Sequence, residues 1–219
     1  SRHRSAGTVT HAAGGGLVVV AIDGPAGTGK STVAKYVARA LGFLYVNSGA
    51  LYRAITWKVL DRATDPDDEA QIVSAAREVD VYVDAGAVRV EGVPEERVLY
   101  GHDVNRWVSR HSAVPAVRDC VNDRLHDLSA ERDVVVEGRD ITTVVFPDAE
   151  VKIYLDASVE TRARRRYEQG LTSETLEDIR ASIEARDRGD RAKRTGALRR
   201  ASDAVYVDTS DLTIDEVCE

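Results

Sequence analysis

The chain has 219 residues, 43% hydrophobic and 31% charged, a size and composition that suit one well-buried domain with room for inserted lobes. Its net charge of −7 argues against a dedicated nucleic-acid binder, whose footprint would be basic overall. No apolar run approaches a transmembrane helix, residues 1–16 lack the apolar centre of a signal peptide, and Cys120 and Cys218 are too few for a disulfide framework or a cysteine metal site, so a reducing cytoplasm is expected.

Residues 1–16, ending in Gly14-Gly15-Gly16, are expected to form a flexible extension outside a domain spanning 17–219. The first predicted strand is the β-branched run Leu17 to Ile22, which lacks alternation and so suits a parallel strand buried on both faces. After it comes Gly24-Pro25-Ala26-Gly27-Thr28-Gly29-Lys30-Ser31, then a helix through Leu41 with Val33, Val37 and Leu41 at helical spacing. A Gly-x-x-x-x-Gly-Lys-Ser loop between a strand and a helix is the phosphate-binding P-loop. Its backbone N–H groups and the helix N-terminus face phosphate oxygens, Lys30 reaches the β- and γ-phosphates, and Ser31 ligates Mg²⁺. Residues 24 to 32, closing with Thr32, form the candidate nucleoside-triphosphate cradle.

A second strand, Phe43 to Val46, turns at Asn47-Ser48-Gly49 into a helix from Ala50 to Leu60, with Ser48 placed to cap that helix or meet a ligand. A helix over Asp67 to Val79 begins with acidic residues that suit its N-terminus. Val79 to Val83 and Ala87 to Val90 flank Asp84-Ala85-Gly86 as a hairpin, with a third strand near Val98. This antiparallel patch reads as an insertion carrying substrate contacts. Helices follow at Asp103 to His111 and Val114 to Leu128, then buried strands at Asp133 to Glu137 and Val151 to Leu155. The former runs into Gly138-Arg139-Asp140, at the carboxyl edge where open α/β sheets bind ligands. Helices at Val159 to Glu168 and Ser173 to Arg188, a strand at Ala204 to Asp208 and a helical stub at Ile214 to Cys218 complete the α/β pattern.

Charge is unevenly placed. From Glu160 to Arg200 there are twelve Lys/Arg against eight Asp/Glu, so this stretch faces an anion or is laced with internal ion pairs. Arg162, Arg165 and Arg166 share one helix face at i, i+3 and i+4, and a second cluster runs from Arg186 to Arg194. Beside a P-loop, such arginines suit phosphoryl transfer between a triphosphate and a second phosphate, which needs cations and planar donors on the migrating group. An ionised phosphate acceptor needs no general base; an alcohol acceptor would make Asp140 the candidate base. Glu137, at the end of a hydrophobic strand, stands where an acid holds Mg²⁺ directly or through water, or is an ordinary strand-end carboxylate. The residues alone leave open a kinase for UMP or another small acceptor, and a non-kinase NTP-binding switch, although no Asn-Lys-x-Asp guanine-reading motif is present.

Three segments, Ser48-Gly49-Ala50-Leu51-Tyr52-Arg53, Glu137-Gly138-Arg139-Asp140 and Thr143-Val144-Val145-Phe146-Pro147-Asp148-Ala149, together with the P-loop, resemble the bacterial cytidylate kinase family from about Val18 to Asp215. The resemblance implies a three-layer P-loop kinase core with a parallel central sheet, an inserted monophosphate-binding lobe over about 47–130 with a small antiparallel sheet, and a helical lid over about 160–190. It implies phosphorylation of CMP and dCMP by ATP with Mg²⁺, in a monomer without nucleic-acid or membrane partners. Carried over by position, Ser109, Arg118 and Asp140 would read the cytosine edge, and Arg53, Arg139 and Arg186 would grip the acceptor phosphate. Ser48 would line the same acceptor site, and Asp190 would contact the ribose. Lys30, Arg162, Arg166 and Glu137 would serve the transfer, the two arginines from the lid and Glu137 through the water shell of the metal. The chain departs from the family at Thr142, where Gly is usual, at Lys193, where Arg is expected, and at Gly196-Ala197-Leu198, where Ser-Pro-Leu is common; its last helix also ends early, at Glu219.

Overall fold

The computed structural model describes residues 16–63, 65–93, 96–170 and 174–219. The extension expected over 1–16 therefore lies outside the described residues except for Gly16, as does Ser173, the expected start of the second lid helix.

Among the described residues, seven strands form one sheet in the order β3-β4-β2-β5-β1-β6-β7. They are β1 (Val19–Asp23), β2 (Leu44–Asn47), β3 (Val81–Asp84), β4 (Ala87–Val90), β5 (Val134–Gly138), β6 (Val151–Asp156) and β7 (Val205–Asp208). All neighbouring pairs are parallel except β3 and β4. The central strands carry apolar residues on both faces. Ala21, Leu44, Val46, Val134 and Val136 pack beneath α2 (Ser48–Asp61), α3 (Glu69–Arg77) and α6 (Pro115–Glu131). Their alternates Val20, Ile22, Tyr45 and Val135 pack against α1 (Lys30–Leu41), with α9 (Ile214–Cys218) alongside. That two-sided burial is what the unalternating runs encode, and it produces a helix-sheet-helix sandwich.

The hairpin β3-β4 is antiparallel as expected, with Ala85 and Gly86 both at positive φ in its turn. It is not a detached sheet, however. Ala87 pairs in parallel with Tyr45, so the hairpin extends the edge of the main sheet. None of its residues lines the cleft described below. The strand expected near Val98 is a short helix, α4 (Glu96–Leu99), followed by α5 (His102–His111). Asn47, not Ser48, caps α2, its side-chain oxygen accepting from the Ala50 amide at 3.1 Å.

Beyond β6, α7 (Val159–Glu168) packs on α8 (Leu176–Ala192) through Ala163, Ile179 and Ile183. A reciprocal cap between Thr175 and Asp178 starts α8, which runs one turn past the expected Arg188. That extra turn places Asp190 on the same helix as Arg186.

Candidate active site

Strands β1, β2 and β5 end level with one another, Asp23 opposite Gly138 and Asn47 opposite Glu137. Their carboxyl edge opens into a cleft of about 1040 Å³. Of the candidate nucleotide-binding, metal and transfer residues named from the sequence, all line this cleft except Gly24, Pro25 and Arg162.

The P-loop leaves β1 at Gly24, where φ is +151° and an added Cβ would stand 2.0 Å from the Leu155 carbonyl oxygen of β6. Only glycine lets the chain turn so close to the next strand. Lys30 opens α1 and donates from Nζ to the Pro25 carbonyl at 2.6 Å across the loop. Burial pulls its ammonium well below the ordinary lysine range, and Arg139 and Arg186 add to that, while Glu137 and Asp23 oppose it. The Tyr45 hydroxyl donates to Glu137 Oε1 with the Ser31 hydroxyl beside it. Burial, then the neighbouring Glu137 carboxylate, drives the Tyr45 phenol up, so it stays a donor. The Ser31 hydroxyl at the start of α1 and the Glu137 carboxylate near the end of β5 are hard oxygen groups that fit the ligand chemistry of Mg²⁺, which binds through few protein oxygens.

The three arginines of α7 divide. Arg162 is 2% exposed and lies beneath the loop, donating to the Ala157 carbonyl at 2.9 Å, the Ala26 carbonyl at 3.2 Å and Asp187 Oδ2 at 2.6 Å. Arg165 donates to Thr209 Oγ1 at 3.1 Å, and to the carbonyls of Thr209 and Leu212 at 2.5 and 3.2 Å. Arg166 faces the cleft.

Across the cleft lies a second set of polar residues. Arg53, buried on α2, donates to the Leu99 carbonyl and to Asn105 Oδ1, both at 2.9 Å, and sits 4.4 Å from the centre of the Tyr100 ring. Burial pulls its guanidinium down to about 10, with Arg186 next in effect. Arg186 is lowered likewise, by burial and then by Arg139. Arg139 Nε donates to Asp190 Oδ2 at 3.0 Å, and Lys193 Nζ reaches Asp190 Oδ1 at 3.1 Å. Burial alone would raise the Asp190 carboxyl; Arg139, Lys193 and Arg186 outweigh it and hold the group below the usual range.

Arg118, on α6, donates through Nη2 to Asp140 Oδ2, in a pair whose side chains are 5% and 7% exposed. Burial nevertheless raises the Asp140 carboxyl against the pull of Arg118 and Lys193. Ser109 stands exposed on α5 at the same end of the cleft. The Ser48 hydroxyl is spent on the Glu137 carbonyl at 2.7 Å, tying α2 to β5.

Thr142 is accommodated without left-handed backbone. Residues Ile141–Val145 form a π-helical turn, with Phe146 N bonding Ile141 O at 2.7 Å. Asp23, fully buried at the end of β1, accepts from Ile141 N at 3.0 Å and from Thr142 N and Oγ1, both at 2.7 Å. Sequence reasoning did not single out Asp23, Tyr45 or Asn105. For Tyr45 a signal existed, because a phenol between two core aliphatics in a buried strand needs a hydrogen-bond partner. Asp23 and Asn105 act through the fold and carry no motif.

A family model described as cytidylate kinase matches residues 20–219. The cytidylate kinase of Caldanaerobacter subterraneus subsp. tengcongensis is 42% identical over 205 residues, 92% of each chain. That of Mycolicibacterium paratuberculosis is 45% identical over 210 residues, again 92% of each. Among solved structures, TT1252 from Thermus thermophilus matches 92% of each chain at 19% identity with a TM-score of 0.46.

Proposed function

The chain belongs to the cytidylate kinase family, and from that premise we propose that it transfers the γ-phosphoryl group of ATP to CMP, giving ADP and CDP. The observation that carries the reading is that the P-loop and the Arg118–Asp140 pair open into one cleft. A donor cradle and a base-reading pair in one chamber suit direct in-line transfer between two nucleotides.

In this reading the backbone of residues 24 to 32 and Lys30 hold the ATP phosphates. Arg53, Arg139 and Arg186 receive the acceptor phosphate, and their crowding favours a dianion among them. Asp140 accepts from the exocyclic amine of cytosine while Arg118 and Ser109 donate to its ring acceptors. Uracil offers an oxygen in place of the amine, which a carboxylate repels. Asp190 contacts the ribose, and Ser48 shapes the acceptor floor. Arg166 lies along the cleft where charge accumulates in transfer, and Arg162 braces the loop from below. An ionised phosphate attacks without a base. We assign Mg²⁺ to Ser31 and, through water, to Glu137; when bound it neutralises charge on the phosphate oxygens.

We extend the reading to dCMP as a second acceptor, with residues 47–130 as the acceptor lobe and 160–190 as a closing lid. We further propose a monomer working in the cytoplasm, in keeping with two free cysteines. No helix among the described residues is long and apolar enough to cross a membrane.

ATP consumption measured with CMP, dCMP, UMP, AMP and GMP tests this reading. The cytidine nucleotides are expected to stimulate it most. A response led by UMP would support a kinase for another acceptor, and hydrolysis as fast without acceptor would support an NTP-binding switch.

A further inference from the structure

Arg53 differs from its fellow arginines in what holds it. Arg139 is matched by Asp190, Arg118 by Asp140 and Arg162 by Asp187. Arg53 instead spends both hydrogens of Nη1 on neutral oxygens, the Leu99 carbonyl and Asn105 Oδ1, each at 2.9 Å. Among the described residues it has no carboxylate partner, and its Nε and Nη2 have no protein acceptor. The Asn105 amide is oriented by its other end: Nδ2 donates to the Tyr100 carbonyl at 2.6 Å, so only the oxygen is left to face Arg53. Asn105 stands on α5 four residues before Ser109, and both line the cleft.

We propose that Asn105 is a positioning residue for the acceptor phosphate: its neutral oxygen fixes the Arg53 guanidinium by Nη1 and leaves the Nε–Nη2 edge, its charge unmatched, for a phosphate dianion. Two parallel N–H donors on one edge are the geometry of a bidentate contact with phosphate. A carboxylate at residue 105 would hold Nη1 as well, but it would neutralise the guanidinium and repel the anion. Arg186, Arg139 and Arg166 crowd Arg53 with like charge. An internal carboxylate would relieve that repulsion in the empty protein, whereas a neutral amide leaves it for the ligand to relieve. One helix face thereby serves both ends of the nucleotide, Ser109 the base and Asn105, through Arg53, the phosphate.

The inference rests on Arg53 receiving the acceptor phosphate, and the test separates the two. Kd for CMP and for cytidine by calorimetry, KM for ATP and the thermal midpoint are measured for Asn105→Ala, Asn105→Asp, Arg53→Ala and the Asn105→Ala/Arg53→Ala double variant. Asn105→Ala frees the guanidinium to turn, and misplacing a substrate-positioning group by about 1 Å costs up to ~10²-fold, so Kd for CMP is expected to rise roughly tenfold. Asn105→Asp keeps an oxygen toward Arg53 and adds a like charge beside the phosphate, so its Kd for CMP should rise further. Its second oxygen faces the Tyr100 carbonyl, a cost that appears in the thermal midpoint and not in the contrast between CMP and cytidine. Kd for cytidine and KM for ATP should stay within about twofold in both variants. In the double variant, Kd for CMP should equal that of Arg53→Ala alone, because Asn105 acts through the group removed. Asn105 variants with unchanged Kd for CMP, an equal loss for cytidine, or a double variant in which the two effects multiply would overturn the proposal. An Arg53→Ala enzyme with unchanged Kd for CMP would instead remove the phosphate-gripping assignment beneath it.

Discussion

Three arginines within one turn of α7 have different fates because of what surrounds each guanidinium. Arg162 satisfies two backbone carbonyls and the buried carboxylate of Asp187, so it is part of the wall behind the P-loop. Removing one partner of a buried ion pair leaves an uncompensated charge, and Arg162→Ala is expected to destabilise the chain by about 3–5 kcal/mol. Arg166 lines the cleft, so Arg166→Ala should leave the urea midpoint nearly unchanged and lower kcat by roughly 10²–10³-fold, the scale for losing one donor to a developing charge. Paired unfolding and turnover measurements decide this, and a variant pair with the two phenotypes exchanged would reverse the assignments. The sequence places all three side chains on one face through helical spacing. Which of them is free depends on Asp187, Thr209 and the Ala26 carbonyl, whose approach is tertiary and leaves no local pattern. Lys193, likewise, reads from sequence as a departure, whereas in the fold it shares Asp190 with Arg139.

At the scale of elements, the loop between β1 and α1 depends on the backbone that β6 presents to it. Gly24→Ala would force a Cβ to within 2.0 Å of the Leu155 carbonyl, a backbone atom that cannot swing aside without parting the parallel pair β1-β6. A loss above about 3 kcal/mol is expected from such overpacking on top of positive φ. Gly42 closes α1 at φ +73° with no heavy atom within 4 Å of its added Cβ, so Gly42→Ala should cost only about 1 kcal/mol from backbone strain. Urea unfolding of both variants checks the contrast; equal losses would show that conformation, not the approach of β6, dictates glycine at residue 24. Most of these elements were legible because buried parallel strands and amphipathic helices have distinct periods. The short helix Glu96–Leu99 was not, since a few apolar residues near Val98 fit a strand as well. The hairpin was legible as a hairpin, but its attachment hangs on one pairing, Tyr45 with Ala87, which no local spacing encodes.

For the molecule as a whole, charge is the organising quantity. The chain carries −7 overall, yet its cleft is lined by eight Lys and Arg side chains against four carboxylates. The local excess of positive charge over residues 160–200 has both of the destinations open to it: Arg162 is used internally, while Arg166, Arg186 and Lys193 reach the cleft. Burial and mutual repulsion lower Lys30, Arg53 and Arg186. A cation whose folded pKa lies below its unfolded value weakens the fold while it remains charged. A phosphate dianion among them reverses that penalty, so CMP should stabilise the protein far more than cytidine, which offers the same base and ribose without the charge. At about 100 times its Kd, CMP should add roughly 2.7 kcal/mol. For a domain of this size that corresponds to a rise in thermal midpoint of about 5–10 °C. Cytidine at the same concentration should give only a small part of that shift, and raising the salt to about 0.5 M should shrink the CMP effect through screening. A thermal shift from cytidine equal to that from CMP would place the binding energy in the base pocket and leave the clustered arginines without their anion.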